Sequence, residues 1–154
     1  MTSVLLPEKN FDSALADLRG SHVAVRVSDY AQAIAWYTEK LDFRLIHEWP
    51  FADEQLAYLA PAADDQFWVE ILAGGDPLPT AKPDYADLGE SLSLAGYHHF
   101  CIVVTDMTAT MAELRRREVQ IVAEPFDLAA INRRLAFIAD PFGNLIELSQ
   151  TLAD

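Results

Sequence analysis

Two stretches decide how this chain is read: His22-Val-Ala-Val-Arg-Val-Ser-Asp29 and His99-Phe-Cys-Ile-Val-Val-Thr-Asp106. Each opens on a histidine, runs through strand-forming residues and reaches an aspartate seven positions later. The two stretches lie 77 positions apart. An internal repeat of this kind implies two copies of one supersecondary unit.

The residues after each stretch repeat as well. Asp29 and Asp106 are good N-caps, because a short carboxylate accepts the unpaired N–H groups of a first helical turn. Ala31, Ile34, Ala35, Tyr37 and Leu41 then have helical spacing, with the end near Asp42 and Phe43. After Asp106 come Met107, Met111 and Leu114, with Arg115, Arg116 and Arg117 at the end where positive charge is favourable. Each half returns to strands, predicted at 44–49, 55–59 and 66–72, then at 119–124, 134–139 and 144–149. The last strand of each half holds one glutamate in an apolar run, Trp68-Val69-Glu70-Ile71-Leu72 and Leu145-Ile146-Glu147-Leu148. Glu70 and Glu147 are also 77 positions apart, so nothing has been inserted between the landmarks of one half relative to the other.

The expected fold is therefore α+β, two tandem βαβββ modules within a single domain spanning 1–154. Module one covers 21–74 and module two 96–150. The proline- and acid-bearing segment 75–95 reads as a linker. Ahead of the repeat, Phe11, Ala14, Leu15 and Leu18 are spaced for a short amphipathic helix packed on the body.

Strand alternation then selects a site. His22, Ala24 and Arg26 share one face of their strand, while Val23, Val25 and Val27 share the other and should pack under the helix. Trp68, Glu70 and Leu72 face away from Val69 and Ile71. The same rule groups His99 with Cys101 and Val103, and Glu147 with Leu145 and Ser149. Each module thus presents one histidine and one glutamate on its helix-free face. A glutamate in such a strand is costly unless paired or metal-bound, and two of them would repel each other without a cation between them. Two imidazoles and two carboxylates suit one divalent ion such as Ni, Co, Zn, Mn or Fe(II). A lone strand histidine is usually structural; the repeated pairing is what favours ligands here. By the same alternation His98 points to the other face and reads as structural, and His47 reads as incidental. Trp68 and Phe137 are candidate pocket walls, Arg26 either binds an anionic substrate group or neutralises a nearby glutamate, and Arg133 and Arg134 are surface residues. Cys101 is the sole cysteine, which excludes an intrachain disulfide and cysteine-rich zinc sites.

Composition narrows the partners. The net charge of −13 opposes a phosphate backbone, so neither nucleic acid nor an anionic membrane is expected as a partner. No run approaches the roughly 18 apolar residues of a membrane helix, and the first ten residues have no signal-peptide pattern, so a cytoplasmic location is the default. Neither a P-loop nor a Gly-x-Ser-x-Gly elbow is present.

The paired His-strand-Asp-helix runs, together with Ala139-Asp140-Pro141-Phe142-Gly143-Asn144-Leu145-Ile146-Glu147-Leu148, resemble the vicinal oxygen chelate superfamily, also called the glyoxalase/bleomycin resistance/dioxygenase superfamily. The resemblance spans about 21–150. It implies a cup-shaped mixed sheet around the metal, and a small-molecule substrate whose vicinal oxygens chelate it. His22, Glu70, His99 and Glu147 match the four ligand positions of glyoxalase I-like members. Extradiol dioxygenases use the subset matching His22, His99 and Glu147, so Glu70 favours lyase or isomerase chemistry. There the metal acidifies a C–H beside a carbonyl, and Glu147 or Glu70 moves the proton. Arg26 matches a position that glyoxalase I uses near glutathione, but Ile71-Leu72-Ala73-Gly74 lacks the asparagine that helps hold it, and an epimerase acting on a 2-oxo, acyl or sugar-like compound fits equally. The alternatives are an Fe(II) ring-cleaving dioxygenase and a non-catalytic binding protein of the bleomycin-resistance type. A homodimer is expected, with the site lying within one chain or shared between two.

Overall fold

The computed structural model describes residues 6–76, 87–93 and 95–152. Module one contains β1 (His22–Arg26), α1 (Tyr30–Leu41), β2 (Arg44–Phe51), β3 (Glu54–Ala60) and β4 (Trp68–Gly74). A short helix, α2 (Leu88–Ser91), lies in the segment expected to be a plain linker, whose residues 77–86 and 94 are outside the described ones. Module two contains β5 (His99–Val103), α3 (Met107–Arg116), β6 (Gln120–Leu128), β7 (Arg133–Ala139) and β8 (Leu145–Thr151).

The strands form two four-stranded mixed sheets of identical topology, ordered β1-β4-β3-β2 and β5-β8-β7-β6. In each, the first and last strands of the module pair in parallel and the remaining pairs are antiparallel. A parallel neighbour requires a crossover, and the helix after the first strand begins it. Both helices start where the sequence places them. Asp29 Oδ1 accepts from the N–H of Gln32 and Asp106 Oδ1 from that of Ala109, each at 2.9 Å.

The helix-side faces of both sheets share one apolar core. Val25, Tyr37, Leu59, Val69 and Ile71 come from module one; Phe100, Met107, Met111, Ile138 and Ile146 come from module two. Polar contacts also cross between the modules. Lys40 Nζ donates to the carbonyl of Arg117 at 2.6 Å, and the Arg117 guanidinium pairs with Asp42 at 2.7 Å. The Tyr37 hydroxyl donates to Asp140 Oδ2 at 3.2 Å. Asp140 is buried and closes the turn between β7 and β8. Its Oδ1 accepts from the backbone N–H groups of Phe142 and Asn144, and its Oδ2 from the Asn144 side-chain amide. Burial raises its carboxyl above the ordinary range, although these donors pull the other way.

One expected element does not form. Residues 11–17 make turns rather than a helix, and Phe11, Ala14, Leu15 and Leu18 are exposed instead of packed on the body. A segment of this length gains too little from its own hydrogen bonds to stay helical without a surface to cover.

Candidate functional site

With the helix-side faces consumed by the core, the opposite faces carry the predicted donors. Parallel pairing sets Ala24 opposite Glu70 and Cys101 opposite Glu147, with each histidine two residues earlier on the same face of its strand. His22 Nε2 lies 3.3 Å from Glu70 Oε2, and His99 Nε2 lies 3.4 Å from Glu147 Oε2. All four side chains are partly exposed. Bonds of about 2.1 Å from one ion to each atom of such a pair, meeting at about 105–110°, span about 3.3–3.4 Å. Each module thus holds a two-donor bite that fits a tetrahedral-like angle. An octahedral ion would be reached by a closure of about 0.4 Å.

The two bites do not converge within one chain. Among the described residues no group of three or more His, Cys, Asp or Glu side chains is placed to hold a metal ion. The four predicted donors are brought together as two pairs, each on its own sheet.

The surroundings of the pairs differ. Antiparallel register sets Tyr58 opposite Glu70 and His47 opposite Tyr58, which places a row of rings beside the first pair. The Tyr58 ring lies 5.3 Å from His22, 4.7 Å from Trp49 and 5.2 Å from Trp68, and His47 stacks on Trp49 at 5.4 Å. Trp68 Nε1 is buried without a hydrogen-bond partner among the described residues. Strand alternation marks Trp68 as a wall. It does not mark His47, Trp49 or Tyr58, because their place depends on register between strands, although the short separation of β2 from β3 offers a hairpin signal. His47 lies on β2, an edge strand of its sheet.

Beside the second pair, Phe137 packs edge-on to His99 at 5.3 Å and is itself only 5% exposed. Cys101 shares this face, and its thiol is pushed up to about 12 by burial and then by its hydrogen bond to Glu147. Burial also lowers the pKa of His99, with the charge of Glu147 opposing and His98 assisting. The shift favours the neutral ring, the form that can ligate. Arg133 opens β7 and donates to the Thr151 hydroxyl, and Arg134 is paired with Asp127 at 2.7 Å on the exposed surface.

Arg26 is tied into the end of its own sheet. Its guanidinium donates to the carbonyl of Gly74 and lies 3.3 Å from Glu54, while Nη1 is buried without a partner among the described residues. A cleft of about 620 Å³ lies at this end of the sheet, lined by Asp29, Tyr30, Asp53, Glu54 and Gln55 among others, away from both donor pairs. No helix among the described residues is long and apolar enough to cross a membrane.

Residues 19–148 match the family described as the Glyoxalase/Bleomycin resistance protein/Dioxygenase superfamily, and the chain belongs to it. It is 30% identical over 129 residues to a probable chloroplastic lactoylglutathione lyase of Arabidopsis thaliana, covering 82% of this chain and 34% of that one. The chain therefore spans about a third of that relative's length. It is 25% identical to the mitochondrial methylmalonyl-CoA epimerase of Homo sapiens, covering 86% of this chain and 73% of the relative. Among solved structures it superposes on TnmS3, an antibiotic-binding protein from Streptomyces sp. CB03234, with a TM-score of 0.65 at 24% identity, over 88% of this chain and 98% of that one. That likeness shows the fold.

Proposed function

We propose that the protein is a metal-dependent lyase or isomerase that moves a proton beside a carbonyl, with each site completed by two chains. His22 and Glu70 of one chain meet His99 and Glu147 of a second around one divalent ion. The observation that carries this reading is the pair of matched His–Glu bites, 3.3 and 3.4 Å wide, on the helix-free faces of two repeated modules. Two points favour sharing between chains. The bites stay apart within one chain, and the helix-side faces, already spent on a joint core, leave the donor faces free to meet a partner. Phe51, Val103, Phe126 and Leu128 on these sheets are exposed and would be covered in such a homodimer.

A bound ion would polarise a chelated carbonyl oxygen and so acidify the adjoining C–H. The protein's own groups do the rest. Glu70 or Glu147 takes the proton and returns it, each being the carboxylate that lies beside the histidine of its bite. Tyr58, Trp49 and Trp68 wall the first bite against water and hold the substrate's carbon skeleton, with Phe137 buttressing the second. Arg26 would steer an anionic substrate group if its contact with Glu54 opens. Relatives named as a lyase and as an epimerase both agree with chemistry next to a carbonyl.

The test is the metal content of protein purified without added metal, compared with Glu70→Gln. About one equivalent per chain of Ni, Co, Zn or Mn, reduced in the variant, supports the four-donor site. Iron retained equally by both proteins would instead indicate the three-ligand dioxygenase. Failure to bind any divalent ion under loading would leave a binding protein and end the enzymatic reading.

A further inference from the structure

The residue preceding each metal-site histidine differs between the modules, and this gives the two histidines unequal support. In module one it is Ser21, whose hydroxyl oxygen lies 3.4 Å from His22 Nδ1, a weak contact at the exposed start of β1. In module two it is His98, whose Nδ1 lies 2.7 Å from His99 Nδ1. The far nitrogen of His98, Nε2, lies 2.8 Å from Ser91 Oγ, and Ser91 Oγ lies 2.6 Å from the carbonyl oxygen of Leu88. Ser91 is 1% exposed, so its hydroxyl has no water to turn to. This chain crosses from α2 to the start of β5 and ends at the proposed ligand.

The direction of every proton in the chain is set by its last member. A carbonyl oxygen carries no proton, so two oxygens 2.6 Å apart require the serine hydroxyl to donate to Leu88. Ser91 Oγ then serves as an acceptor, and His98 donates to it through Nε2–H. A singly protonated His98 has only a lone pair on Nδ1. The short Nδ1 to Nδ1 contact therefore places its proton on His99. With Nδ1–H on His99, the lone pair is on Nε2, the atom that faces Glu147 at 3.4 Å.

The structure assigns His98 and Ser91 as positioning residues that lock His99 in the tautomer whose Nε2 can bind a metal, leaving His22 the unlocked partner. This rests on the reading of His99 as a ligand. A ligating histidine that donates its other N–H is held in both orientation and tautomer, and loss of such a partner typically lowers metal affinity by about 10- to 100-fold. Ser21 supplies no comparable restraint, so module two should act as the anchoring half of the site and module one as the half that yields.

The test has two readouts on the full-length protein. Long-range proton–nitrogen correlation spectra of the metal-free, nitrogen-15-labelled protein report which ring nitrogen of each histidine is protonated. The expected result is Nδ1–H with a bare Nε2 for His99, and a mixture for His22. Zinc affinity, measured by competition with a chromophoric chelator, should fall about 10- to 100-fold in His98→Phe. It should stay within about threefold in His98→Asn, whose side-chain carbonyl can still accept from Nδ1–H, and in Ser21→Ala. If His98→Phe does not fold, Ser91→Ala and the wild-type spectrum carry the test, and Ser91→Ala should mix the His99 tautomers. A His99 ring protonated on Nε2 in the wild type overturns the assignment, as does undiminished zinc affinity in folded His98→Phe. A locked His99 in a protein that never binds zinc would uphold the hydrogen-bond relay and refute the metal reading instead.

Discussion

A site shared between chains can be tested by mixing two proteins that each lack half of it. One variant carries His22→Ala with Glu70→Ala, the other His99→Ala with Glu147→Ala. All four side chains are partly exposed on sheet faces opposite the core, so the substitutions cost little folding stability. Each variant alone retains one two-donor bite per site and should lose tight metal binding. In a mixed dimer, one site combines the two damaged halves and the other combines two intact halves. Random exchange makes about half of the dimers mixed, so the mixture should recover about a quarter of the wild-type metal. The assay is unfolding and refolding of the equimolar mixture, mass spectrometry to confirm mixed dimers, dialysis, and elemental analysis. Mixed dimers that recover no metal would refute the shared site, because a site within one chain is destroyed in every molecule of the mixture.

The buried turn at Asp140 and the ring row beside Glu70 give further expected outcomes. Asp140→Ala strips the acceptor from the Tyr37 hydroxyl, the Asn144 amide and two backbone N–H groups. Counting only the Tyr37 hydroxyl and the two backbone N–H groups, the cost should be about 3 kcal/mol or more in urea unfolding, at about 1–3 kcal/mol for each donor that loses its acceptor. The same carboxyl has a pH signature. Its pKa is raised by folding from 3.8, so the native state holds the extra proton, and the stability this contributes is complete below about pH 3.8 and fades as pH rises through the raised value. The stability gap between wild type and Asp140→Ala should therefore narrow with increasing pH, and a widening gap would contradict the assignment. Trp68→Ala should raise KM several-fold with kcat nearly unchanged if the ring row holds the substrate, whereas an unchanged KM would refute that role.

Much of the molecule is legible without coordinates. The two 77-residue offsets, His22 with His99 and Glu70 with Glu147, reveal the duplication. Strand alternation puts one donor of each kind on the helix-free face of each module, since successive side chains must point to opposite sides of a sheet. Asp29 and Asp106 mark both helix starts because a cap acts on N–H groups within its own turn. These features are local, and local chemistry is written in the order of residues. Tertiary structure alone decided the rest. Tyr58 reaches Glu70, and His47 and Trp49 join it, through register between strands, which no single strand specifies. His98 reads as structural by alternation, yet its ring meets Ser91 because α2 folds back toward the start of β5. Phe11, Leu15 and Leu18 have helical spacing, but without a surface to cover they remain in exposed turns. That the donors of each module share one face is set by the sequence, because alternation fixes the side of the strand each residue occupies. The separation of the two pairs is not, because it depends on which faces the modules bury against each other.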